Sequence, residues 1–138
     1  IMADPIVLKI DEIPVFARGD GVETTLLVGK ESCESSPITS GITKFPPGKE
    51  VPFHSHNCDE QVTVLEGEGV LEVEGYDPVP VKKHDTTYMP KGKSHRFLCS
   101  DTNPMSIIWV YMTDHVTRTF SETGETVDHL SKDDLVEK

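Results

Sequence analysis

His54-Ser55-His56 sets two imidazoles two residues apart in a stretch of β-forming character. Successive strand side chains alternate between faces, so both rings point the same way, roughly 6–7 Å apart at the backbone. Neutral imidazole is the commonest protein ligand for transition ions, and two converging rings can share one ion. Glu60 follows across the turn-like Asn57-Cys58-Asp59 and begins a strand on which Val62 and Val64 share its face. His95 is distant in sequence but opens the run His95-Arg96-Phe97-Leu98-Cys99, directly after the turn Pro90-Lys91-Gly92. Brought to one point, three imidazoles and a carboxylate suit one divalent ion of Fe, Mn, Ni, Co, Cu or Zn. Four protein ligands close a tetrahedral zinc site, whereas a six-coordinate ion keeps two positions free. For a catalyst the set therefore favours Fe, Mn, Ni or Co.

The elements that must position these residues are strands. β-prone runs rich in Val, Ile, Thr and aromatics cover 22–28, 38–45, 61–65, 70–74, 79–82, 86–89, 95–99 and 105–112, spaced by Gly, Pro, Asn and Asp. That pattern predicts an all-β antiparallel sandwich or barrel. Pro46-Pro47-Gly48 and Pro90-Lys91-Gly92 combine a fixed φ with a residue that tolerates positive φ, and each stands just before a histidine of the set. Gly67-Glu68-Gly69 separates two strand-like runs and suits a tight hairpin with a positive-φ residue. Ser131, with Asp133 and Asp134 behind it, would cap one short helix over 131–138, a segment that could equally fray.

A chain of 138 residues with 36% hydrophobic content is expected to form one domain over 1–138. Its barrel core would span about 22–112, with an amino-terminal strand or arm over 1–21 and an extension over 113–138. The net charge of −11 repels phosphate backbones and anionic lipid, so neither nucleic acid nor membrane is an expected partner. No apolar run reaches membrane-spanning length and no basic-then-apolar leader opens the chain, so the expected location is cytoplasmic. Cys33, Cys58 and Cys99 cannot all pair and match no zinc-ribbon spacing, which predicts reduced thiols.

The motif residues resemble the cupin family, small single-domain members of the cupin 2 type in particular. Its first motif is Gly, five residues, His-x-His, three or four residues, Glu, six residues, Gly; Gly48, His54, His56, Glu60 and Gly67 meet it in full. Its second motif is Gly, five residues, Pro-x-Gly, two residues, His, three residues, Asn. Pro90, Gly92 and His95 meet it, while His84 stands for the first Gly and Cys99 for the Asn. The departures bear on the turn at His84 and on a hydrogen bond near Cys99. The resemblance implies a double-stranded β-helix, the jelly-roll barrel, with one divalent transition metal on His54, His56, Glu60 and His95. Many members are homodimers. It also implies a small-molecule substrate, oxygen-rich and able to chelate the metal, with dioxygenase-like chemistry first. Sugar or small-acid isomerases and lyases are the alternative, and a non-catalytic binding module is a further one. Glu60 and Tyr88 are the candidates for catalytic proton transfer.

Other residues have plainer expected uses. His84, His115 and His129 lack a partner at ligand spacing and read as surface histidines. Phe97 and Cys99 share the strand parity of His95, while Arg96 and Leu98 should face away. Trp109 and Tyr111 share one face and suit the core or a stacked substrate. Cys58 would ligate only if its turn aimed it inward, and Glu72 and Glu74 read as solvated. Arg118 could hold an anionic substrate, although a surface arginine is the ordinary reading. Lys91, Lys93 and Arg96 are the nearest positive charges to the second motif.

Overall fold

Alternating burial runs through the middle of the chain and dictates sheet architecture. Along 105–111 every second side chain is buried, from Met105 to Tyr111, and 95–99 repeats the alternation. The computed structural model describes residues 4–136. After a short 3₁₀ turn at Ile10–Glu12 come β1 (Phe16–Gly19), β2 (Val22–Leu26), β3 (Thr39–Phe45), β4 (His54–His56), β5 (Glu60–Glu66) and β6 (Glu68–Val73). Then follow β7 (Val79–Lys82), β8 (Thr86–Met89), β9 (His95–Cys99), β10 (Met105–Tyr111), β11 (Thr117–Phe120) and β12 (Thr126–Asp128).

Two antiparallel six-stranded sheets result, ordered β1-β2-β3-β10-β5-β8 and β12-β11-β4-β9-β6-β7. This is the expected jelly roll, and its core lies between the sheets. Phe45, Val62, Val64, Phe97, Met105, Ile107 and Trp109 all fall there. Burying each such side chain stabilises the fold by roughly 1.5–3 kcal/mol. The hairpin expected over 67–69 does not form, because β5 and β6 lie in different sheets and Glu68 and Gly69 belong to β6. Gly67, with a φ of 78°, lets the chain cross, and a Cβ there would sit 2.2 Å from the Pro104 carbonyl oxygen.

His84 adopts a φ of 76°, so the turn where the motif has glycine forms with a histidine in the left-handed region. Its N–H donates to the Val64 carbonyl at 2.7 Å, which holds it there. Cys99 is buried, and its thiol donates to the Asn103 carbonyl at 3.1 Å, in place of the expected asparagine contact.

The expected carboxy-terminal helix does not form: 129–136 is turn and irregular backbone, with 137 and 138 outside the described residues. The acids read as first-turn helix residues have a stronger use. Asp134 is drawn into the interior by Arg18 and Arg118, and the Val136 N–H donates to the Arg18 carbonyl at 2.9 Å. Those bonds cannot be made from a helix pointing into solvent.

Candidate metal centre

β4 and β9 lie side by side, joined by the pair His54↔His95. The alternation of β4 turns His54 and His56 inward with Ser55 between them on the other face. The three imidazoles each bring one nitrogen to within 4.8 Å of the others, and all three are buried. Glu60 comes from the facing sheet, where β5 pairs it with Tyr111 of β10. Glu60 Oε1 lies 3.3 Å from His95 Nε2 and 4.0 Å from His56 Nε2. All four residues singled out from the sequence thus meet between the sheets.

The outer nitrogen of each ring shows what the inner one is for. His54 Nδ1 lies 2.7 Å from the Pro52 carbonyl oxygen, His95 Nδ1 2.8 Å from that of Lys93, and His56 Nδ1 3.0 Å from that of Thr117. A carbonyl only accepts, so each Nδ1 carries a proton and each neutral ring turns the lone pair of its Nε2 inward. Lone pairs facing one another and a carboxylate repel unless a cation lies among them. A metal ion among them would supply that charge. The donor set fits a divalent transition ion.

The electrostatics keep the donors available. Burial, with Arg118 and the neighbouring histidines, holds His54 well below its ordinary value. Burial likewise holds His56 at about 4, against the opposing pull of Glu60. For Glu60 burial acts upward, but His95 and His56 beside it leave it below its usual value and ionised. Burial and Glu60 drive Tyr111 well above its ordinary value, so its hydroxyl, 3.2 Å from His56 Nε2, keeps its proton.

A narrow cavity of about 30 Å³ adjoins His54, His95 and Glu60, with Arg18, Trp109, Tyr111, Arg118 and His129 also on its wall. It has room for a water or a diatomic molecule. Tyr88 is not on that wall: its side chain is exposed and its hydroxyl donates to Asp59. Tyr111 stands beside Glu60 instead. Cys58 is buried without joining the histidines, and burial raises its thiol to about 11. Arg96 is engaged by Glu72 and Glu50 and stacks over Phe53 at 4.4 Å.

Two surface expectations need correction. His129 is half-buried, its ring edge-on to Trp109 at 5.0 Å and to Tyr111 at 5.1 Å, because 129–136 folds back over the barrel rather than leaving it. Arg118 is 4% exposed; β11 pairs it with His56 across the sheet, so it shares the inward face of the ligands. The parity of Arg118 with Phe120 could have revealed this, since both sit two apart on one strand. Arg18, 2% exposed, carries no such signal: it lies in the four-residue strand β1, whose Phe16 and Ala17 are both exposed, so no alternation marks its inward face.

The Cupin_2 family, described as a cupin domain, matches residues 41–111, a span that contains all four candidate ligands. This chain belongs to the cupin family. Over 75 residues the cupin is 35% identical to the oxalate-binding protein of Thermotoga maritima, covering 54% of this chain and 61% of that protein. Over 101 residues it is 29% identical to auxin-binding protein 1 of Arabidopsis thaliana, covering 67% of this chain and 51% of that one. It spans less than two thirds of the length of either curated relative. Among solved structures, a predicted oxalate decarboxylase from Thermotoga maritima superposes with a TM-score of 0.66 at 26% identity, covering 78% of this cupin and 99% of that chain.

Proposed function

We propose that this cupin holds one divalent transition metal on His54, His56, Glu60 and His95 and takes a small, oxygen-rich organic acid as its ligand. The observation that carries the reading is the tautomer set: three outer nitrogens bound to backbone carbonyls and three inner lone pairs converging near an ionised carboxylate. The metal would act as a Lewis acid towards a chelating acid and, if redox-active, towards dioxygen. Dioxygenase-like chemistry on iron is the first activity to assay, and isomerase or lyase chemistry the second. The chain's own residues supply the rest. Glu60 is ionised and able to accept a proton, Tyr111 keeps one at the wall of the cavity, and Phe97, Ile107 and Trp109 exclude bulk water.

A non-catalytic binding role is the second reading, favoured by relatives named for what they bind and by a cavity that admits little beside the ligand set. A homodimer belongs to the same proposal. Ile6, Val7, Ile10, Val15 and Phe16 stand exposed along the amino-terminal arm, and such apolar surface is ordinarily covered by a partner. Sedimentation at two concentrations checks it.

The deciding experiment is elemental analysis of protein produced in metal-supplemented medium, beside a folded His54→Ala/His95→Ala variant. Near one metal per chain, lost in the variant, supports the reading; no metal in either, even after reconstitution, overturns it. Oxygen uptake with small organic acids then separates catalyst from binder.

A further inference from the structure

Arg18 and Arg118 reach the metal-side cavity from opposite sheets, and two guanidiniums in one interior are costly unless anions answer them. One carboxylate is shared between them. Asp134 Oδ1 lies 3.0 Å from Arg18 Nη2 and 3.1 Å from Arg118 Nε, and all three residues are 4% exposed or less. Arg18 is otherwise well supplied, with Nε donating to the Asp134 carbonyl and Nη1 to Thr24. Arg118 is not: its Nη1 is buried without a hydrogen-bond partner among the described residues. With Glu60 ionised, these four residues balance to zero charge, so a divalent ion in the site would leave two positive charges uncompensated.

The carboxylate that serves the arginines also pins a strained backbone position. Asp134 Oδ2 accepts the Leu130 N–H at 2.8 Å and holds Leu130 at a φ of 61°, a conformation bulky residues rarely take. Release of Asp134 would free Leu130 from that strain. His129, next in the chain, lines both the inner cavity and an outer groove of about 510 Å³ bordered by Leu8, Phe16, Leu26 and Val116. Displacing 129–134 would therefore join the groove to the metal side.

We propose that Arg18 and Arg118 form a second subsite, for the carboxylate of a small organic acid, and that Asp134 occupies it in the closed protein as an internal stand-in. This rests on the small-acid reading of the same cavity and adds to it where the far carboxylate binds and which segment must yield. A monocarboxylate would reach the metal or the arginines, whereas a short dicarboxylate would reach both. The ligand class is accordingly a short dicarboxylate, and entry is a competition between its carboxylate and that of Asp134.

The test begins with metal-free Asp134→Asn, which keeps the shape and removes the charge. Oxalate or formate should raise its thermal midpoint by about 5 °C or more over chloride at matched ionic strength, with no such rise in Asp134→Asn/Arg118→Leu. An equal response to chloride, or one that survives the loss of Arg118, overturns the proposal. The second arm uses the unaltered, metal-loaded protein. Oxalate should speed amide exchange in the 129–136 peptide at least several-fold, and unchanged or slower exchange there overturns it as well. Because the first arm needs no metal, the arginine subsite can stand or fall separately from the metal site.

Discussion

Two buried polar clusters share one cavity and are made in opposite ways. Two rings of the histidine cluster are prepared locally: His54 and His95 each donate to a carbonyl two residues upstream, so each is aimed by its own strand entry, while His56 leans on the Thr117 carbonyl of the adjacent strand. The arginine cluster is assembled from afar, with Arg18 near one end of the chain bonded to Asp134, 116 residues later. Preparing donors locally keeps a site in place whether or not its ion is present. A site clamped across the chain ends is only as rigid as the segment that closes it.

That contrast can be broken from either side. The largest effect is expected from His54→Ala/His95→Ala, which should lower metal affinity by more than about 100-fold while the barrel still folds, since the loss falls on ligands. Inductively coupled plasma analysis after dialysis, with circular dichroism as the fold check, reads both. Next comes Asp134→Ala, which leaves two guanidiniums buried without their counter-charge and should cost about 3–5 kcal/mol in urea unfolding. A cost below about 1 kcal/mol would show that the clamp carries little of the fold.

Acid should loosen the histidine cluster in the metal-free protein. His56 is held at about 4 when folded but rises to an ordinary value when unfolded, so the unfolded chain takes up the proton first. Stability is therefore complete above about pH 6.5 and lost as pH falls towards about 4, by on the order of 3 kcal/mol from this group. His54 shifts in the same direction, and Glu60, held below its usual value, adds a loss of the same sign at lower pH. A thermal midpoint flat between pH 7 and 5 would contradict it. The smallest effect is expected at His84→Gly, which removes left-handed strain from a turn outside both clusters and should stabilise by about 0.5–1 kcal/mol, net of glycine's added freedom in the unfolded chain.

Legibility in the sequence followed the same divide. His-x-His, Glu60 and the Pro-x-Gly turn before His95 sit at fixed short spacings, and the period-two pattern of 95–99 and 105–111 states the inward face directly. The barrel and the four candidate ligands were readable for that reason. Arg18 was invisible because its strand is too short to show an alternation, and His129 because an irregular segment has no periodicity to read. The helix expected over 131–138 failed because Asp134 satisfies capping chemistry and burial chemistry alike, and sequence spacing does not rank them. Tyr88 stands out by lying next to a motif, while Tyr111 reaches Glu60 through strand pairing between residues 51 positions apart, at a register no local pattern announces.

The pairing between β4 and β9 consists of one residue pair, His54↔His95, whereas the neighbouring β6–β9 seam runs over five. An ion gripped by both histidines would therefore act as a rivet at the thinnest seam of its sheet. Chelation would do more than empty a site: it would let β12, β11 and β4 breathe away from β9, β6 and β7 as one flap. Metal content would then set the working lifetime of the fold against proteases.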